Sequence, residues 1–403
     1  MTARPGTSQN LTSDPAPATP RRRRPADRRR LVVDAAAKAF SDAGYHAVRL
    51  EDIADAVGIS APALYRHFPN KYALFAETTA VLAASLRAAL DAVPEGGDGE
   101  LRALLEAITV ASFENRRKGG LYRWEARYLE PADRAIVRDV VVHQHRRVRA
   151  AARRLRPGLG EMDANLIVAA MTSVAASPTT HRASLPAREV TTIIPDAAMG
   201  LLHVDLPDPV APATHTGHGL VPAARREVIL TEAVNLFAAR GFRDVTIDDI
   251  AHAANLPPSG VYRHFPSKVA ILEAAFWRAT DRVTTAISEA LGSSTTPHEA
   301  LVEMIHRYVQ LTCSSTELIS VYETEIGHAT PEARAELRNQ QRITVEEWAT
   351  WVGREREDLS ITHARFLVHA ALNVVTDLSR LKPQPTPSRI EALSARILLG
   401  PST

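Results

Sequence analysis

Apolar residues recur along this chain at intervals of three and four, the repeat of an α-helix with one buried face. Over Arg28–Ala43, Leu31, Ala35 and Ala39 form one row, and Val32, Ala36 and Phe40 the next. Leu101, Leu104, Leu105 and Ile108 repeat the pattern over Glu100–Asn115. Proline and glycine punctuate it at Gly44, Pro94–Gly99, Pro157-Gly158, Pro178–Pro186, Gly292–Pro297 and Gly400-Pro401, where helices stop. Between the breaks the pattern predicts helices over Asn70–Ala92, Leu121–Leu129, Ala132–Arg156, Glu161–Ala176 and Arg188–Leu202, the last interrupted at Pro195. A second series follows over Ala224–Arg240, Ser267–Leu291, Pro297–Thr312, Leu318–Ile326, Pro331–Trp351, Leu359–Leu381 and Pro387–Leu399. No alternating, period-two stretch stands out. With abundant alanine, the fold class is all-α.

One stretch occurs twice. RLEDIADAVGISAPALYRHFPNK (Arg49–Lys71) returns as TIDDIAHAANLPPSGVYRHFPSK (Thr246–Lys268), without a gap. A repeat of this length implies two equivalent units. Each copy predicts a helix, a tight turn and a second short helix. Thr246 followed by Asp249 has the spacing of a capping box. Gly58 and Asn255 fall where the turn needs a left-handed residue. Leu64 or Val261 points inward, and Phe68 or Phe265 closes the unit. This is a helix-turn-helix, whose second helix is the usual reader of a DNA major groove.

These residues, with Phe40, Gly44 and Tyr45 ahead of the first copy and Phe237, Gly241 and Phe242 ahead of the second, resemble the TetR family of bacterial transcriptional regulators. The resemblance covers roughly 45 residues per copy and implies a tandem arrangement: two TetR-like units in one chain. The boundaries follow: an N-terminal arm (1–27), a first head (28–72) and body (73–203), a linker (204–222), a second head (223–269) and body (270–403). The family's homodimers pair the last two helices of each subunit in a four-helix bundle. Here the equivalents are Glu161–Ala176 with Arg188–Leu202, and Leu359–Leu381 with Pro387–Leu399. The halves therefore pair either within the chain, as a pseudo-dimer, or between two chains, as a homodimer.

The resemblance assigns DNA contacts residue by residue. Tyr65, His67 and Lys71, and Tyr262, His264 and Lys268, would face phosphates. Thr246 matches a family threonine whose hydroxyl meets phosphate, and Arg49 replaces it in the first head, losing the cap and gaining a charge. Base readers would open each recognition helix: Ser60, Ala61 and Ala63 in one, Pro258, Ser259 and Gly260 in the other. Arg66 and Arg263 are the long side chains placed for guanine. Two different reading helices predict an imperfectly palindromic operator.

Charge sharpens the picture. The net charge of the 403 residues is only +2, yet residues 1–30 hold eight arginines against two aspartates. Arg21, Arg22, Arg23 and Arg24 thus read as an arm on DNA beside the first head. The second head has only Arg225-Arg226, which points to a weaker or vestigial grip. The single cysteine, Cys313, excludes an internal disulfide framework and fits a reducing cytoplasm. No apolar run of bilayer length is expected, nor a signal core. His215 and His218 lack a cysteine or carboxylate partner and read as solvated linker rather than metal ligands. His143 and His145, two apart on a helix, point to different faces. The chain lacks a phosphate loop, a zinc-protease motif and a nucleophile elbow, so neither an enzyme nor a cofactor is indicated. Trp124, Tyr128 and Tyr322, with Trp348, are the aromatic candidates for a pocket in the bodies, whose apolar character suits an acyl-CoA or another lipid-like effector.

The reading is a ligand-responsive DNA-binding transcriptional repressor. Ligand in a body would change head spacing, which must be about 34–36 Å for successive major grooves. The competing class is a helical sensing or scaffolding protein in which the second head, or both, no longer bind DNA.

Overall fold

A computed structural model describes residues 25–116, 128–209 and 223–401. The expectations for Arg21–Arg24, Trp124, most of the Leu121–Leu129 helix and the linker histidines lie outside them. The described residues form helices joined by turns, with no strand among them. The first half runs α1 (Pro25–Ala43), α2 (Leu50–Val57), α3 (Ala61–Tyr65), α4 (Lys71–Asp91), α5 (Glu100–Glu114), α6 (Pro131–Leu155), α7 (Glu161–Ala176) and α8 (Ala187–Gly200). The second runs α9 (Arg225–Arg240), α10 (Ile247–Ala253), α11 (Pro258–Tyr262), α12 (Lys268–Ser293), α13 (Pro297–Ser314), α14 (Thr316–Glu325), α15 (Pro331–Glu355), α16 (Ile361–Ser379) and α17 (Pro387–Leu399).

Each head is a small core of its own. Val32, Ala36 and Phe40 of α1 are fully buried against Ile53, Ala54, Leu64 and Phe68. Ile229, Ala233 and Phe237 of α9 repeat this against Ile250, Ala251, Val261 and Phe265. Gly58 ends α2 at φ +73° and Asn255 follows α10 at φ +53°, the left-handed exits the turns require. Thr246 and Asp249 form the full capping box, whereas Arg49 makes no side-chain cap.

Helices α4 and α12 belong to head and body at once. Leu74 and Phe75 sit in the first head's core, and Leu90 in the core of the body. Among the described residues α4 is long and apolar enough to cross a membrane, contrary to the expectation from sequence. Its Leu74, Phe75, Leu82, Ala83 and Leu90 are instead buried in protein. Pro195 is also corrected: α8 runs through it, because a single missing N–H is tolerated where the flanking turns are held by packing.

The body cores merge. One apolar cluster draws on α5–α8 and on α12, α13 and α15–α17, and at its centre α7 and α8 pack against α16 and α17 of the same chain. Pro131 and Pro331, Glu161 and Ile361, and Ala187 and Pro387 open equivalent helices, a constant spacing of 200 residues. Asn373 Nδ2 donates to the Ser173 carbonyl and hydroxyl, both at 3.0 Å. These two residues are each other's counterparts, so their contact marks a pseudo-two-fold axis between the halves. Polar bonds in such an apolar seam fix its register.

Candidate nucleic-acid interface

Each recognition helix is short and anchored by one apolar residue, Leu64 in α3 and Val261 in α11. With that residue inward, the rest of the turn must face out. Tyr65 is 46% exposed and Tyr262 55%, high values for phenol rings that could bury their apolar faces. Arg66, Arg263 and His264 are exposed and His67 is half-buried. Ser60, Pro258 and Ser259 open their helices exposed, and Ala61 and Ala63 are half-buried. Gly260 is buried against Leu256 and Pro257 of the turn rather than presenting a reading surface. Arg49 is exposed, with its guanidinium 3.7 Å from Glu51.

Three assignments change. Lys71 Nζ donates to the His46 and Val48 carbonyls, both at 3.0 Å, and lies over the Tyr45 ring. Lys268 Nζ does the same with Phe242 O (2.7 Å) and Val245 O (2.6 Å), over the Phe242 ring. These ammonium groups tie the start of α4 or α12 to the loop that precedes α2 or α10 and are half-buried there. Burial lowers both pKa values, and the charge of Arg243 in the second head also acts on Lys71. Thr246 is the third. Its hydroxyl donates to Asp249 Oδ2 at 2.8 Å and accepts from Asp249 N–H at 3.1 Å, so its proton is already used. Asp249 is held down at about 2, first by the Thr246 N–H and then by that hydroxyl and Arg240, which leaves a carboxylate where a phosphate was expected.

A brace missed by sequence reading sits behind each reading helix. Arg29 of α1 lies 4.4 Å over the Phe68 ring, bonds the His67 carbonyl at 2.8 Å and pairs with Glu77. Arg226, its counterpart, lies 4.7 Å over Phe265. The equal spacing from Arg29 to Phe68 and from Arg226 to Phe265 is the signal the sequence carries for it.

The aromatic candidates separate. Tyr128 stacks on Tyr45 at the seam of first head and body, ring centroids 5.8 Å apart. Tyr322 lines a cavity of about 220 Å³ with Tyr308, Glu323, Arg338, Gln341, Val345 and His369, and Thr180 of the first half joins them. Tyr322 also meets Phe276 of α12 edge-on at 5.3 Å. Burial pushes both Tyr308 and Tyr322 up to about 12. Trp348 is buried core. His143 faces Asp91 at 2.9 Å while His145 meets Thr172 at 3.1 Å, on different faces.

Two helix-turn-helix heads, each with an exposed second helix and mounted on a shared helical frame, define a double-headed helix-turn-helix protein. The family model described as "Bacterial regulatory proteins, tetR family" matches residues 32–78 and again 229–275. The chain therefore carries two TetR-type helix-turn-helix regions in tandem. It is 28% identical over 106 residues to the transcriptional repressor KstR2 of Rhodococcus jostii, covering 26% of this chain and 52% of that protein. It is 45% identical over 49 residues to the transcriptional activator FasR of Mycolicibacterium smegmatis, covering 12% and 22%. The chain spans about half the length of the KstR2 proteins it matches. Among solved structures, the TetR-family regulator PfmR of Thermus thermophilus is 23% identical with a TM-score of 0.41, covering 45% of this chain and 100% of that one.

Proposed function

We propose that this protein is a ligand-responsive transcriptional repressor that grips operator DNA with two non-identical heads. The observation that carries the reading is the pair of Tyr-Arg-His motifs, with Tyr65, Arg66, Tyr262, Arg263 and His264 exposed, on heads whose Lys71 and Lys268 are engaged as internal braces. Phenol, guanidinium and imidazole donors on one short helix suit phosphate and guanine edges. Ser60 and Ser259 add small polar groups at the helix start. Arg21–Arg24 would add phosphate contacts beside the first head, so the first head is the stronger grip. The two heads work as one pseudo-dimer, because their bodies pack together within the chain.

The effector site is the cavity between Tyr308 and Tyr322. At about 220 Å³ it is smaller than the sites that enclose drug-sized ligands. It suits the acyl end of an acyl-CoA or a small lipid-like molecule, with Arg338 and Gln341 for its polar end. Ligand pressing on Tyr322 would act on Phe276 and so on α12, the helix that enters the second head. Linkage requires that DNA lower ligand affinity by the same factor.

Fluorescence anisotropy with DNA from upstream of the chain's own gene tests this. Arg66→Ala should weaken binding by about 1–3 kcal/mol and relax preference at one base pair, and Arg263→Ala should do so less. Binding that is insensitive to salt and to both substitutions would make the sensing or scaffolding class the better one.

A further inference from the structure

The two halves meet across a pseudo-two-fold axis, so each off-axis juxtaposition of equivalent positions occurs twice, once in each sense. In one sense Asp163 of α7 pairs with Arg389 of α17. In the other, His363 of α16 meets Glu189 of α8 at 3.1 Å. With the spacing of 200 residues, His363 is the counterpart of Asp163, and Arg389 the counterpart of Glu189. The same contact is therefore built twice with its charges reversed. The first half supplies both acids and the second half both basic groups.

We propose that these sorted charges select the partner, so that each half accepts the other half and rejects a second copy of itself. Two first halves would set Asp163 against Glu189 at both ends of the seam. Two second halves would set His363 against Arg389 twice. The rejection is strong because Arg389 cannot retreat to water: its side chain is only 4% exposed, while that of Asp163 is 40% exposed. A buried guanidinium without its carboxylate is heavily penalised. At the other site a carboxylate has no proton to give, so His363 Nε2 is the donor and Nδ1 is left to the Ser360 hydroxyl at 3.0 Å. Facing carboxylates in one mispairing, and a buried Arg389 without its carboxylate in the other, are what discriminates. The inference goes beyond the reading of DNA binding and holds whether or not the heads grip a duplex.

Light scattering after size exclusion of the full chain tests it. The unaltered chain should run at its 43.9 kDa mass over a hundredfold range of concentration. The double substitution Glu189→Arg with Arg389→Glu puts two acids at one site and two bases at the other, while making each half complementary to its own copy. It should convert most of the chain to twice that mass or lower its melting midpoint. Adding Asp163→Arg and His363→Asp restores opposite charges at both sites and should return the monomer and the midpoint. An unaltered chain already at twice the mass, a double variant indistinguishable from the parent, or a quadruple variant as impaired as the double would each overturn the proposal.

Discussion

Replacing Lys268 by Met separates a brace from a phosphate contact. Met keeps the stem over the Phe242 ring and removes the ammonium. Two strong bonds are lost, to Phe242 O at 2.7 Å and Val245 O at 2.6 Å. Hydrogen bonds to a charged group contribute about 1.5–3 kcal/mol each when well formed. The group is half-exposed and the freed carbonyls can be rehydrated, so the low end applies to both, about 3 kcal/mol in all. The head is a small unit, and the loss should appear as local opening rather than global unfolding. Amide hydrogen exchange in α10 and α11 should then speed up roughly a hundredfold, with the bundle amides unchanged. The DNA measurement supplies the other arm. A lysine that neutralises one phosphate contributes about 0.9 to the slope of log affinity against log salt. Here the slope should stay the same, because the ammonium was never on the duplex, although affinity falls with the fraction of open heads. Unchanged exchange together with a slope smaller by about 0.9 would refute the brace.

Other outcomes follow from the same geometry. The His181 and His369 rings stack 4.0 Å apart between the halves, and burial lowers both pKa values, His369 to about 4. Arg116, Arg182 and His369 add to the shift of His181. A buried neutral imidazole favours the folded state above its unfolded pKa near 6.5, and that stability is lost as pH falls toward 4. His369 alone represents about 3 kcal/mol on this basis, so the thermal midpoint should drop between pH 6.5 and 4, and a His369→Leu variant should flatten that drop. Thr246→Ala removes one half of the capping box and should cost about 1 kcal/mol, read as faster exchange at the start of α10. Gly58→Ala meets open space but forces φ +73° on an L-residue, a penalty of about 1 kcal/mol that denaturant titration of the first head would show.

Helical period and paired breaks make most of the elements legible in the sequence. Gly58, Asn255 and the Thr246–Asp249 box could be placed because each is a local backbone requirement. What the sequence could not supply was partner choice for long side chains. Lys71 and Lys268 follow a motif that suggests solvent, yet carbonyls more than twenty residues away in the chain claim them. Gly260 looked like a reader because it opens a helix, but neighbouring Leu256 and Pro257 enclose it. The continuity of α8 through Pro195 likewise depends on packing from other helices. The reversed charges at Asp163, Glu189, His363 and Arg389 were visible as letters, but without the bundle there was no way to know that they face one another.

Because both halves lie on a single polypeptide, a heritable change reaches only one of them. In an assembly of identical subunits every substitution is made in duplicate, and a damaging one is damaging twice over. Here α11 can drift while α3 is held, or the cavity beside Tyr322 can be reshaped with Tyr128 untouched. The divergence already seen between APALY and PSGVY is what such freedom leaves behind, and it opens asymmetric targets to a protein whose architecture is otherwise two-fold.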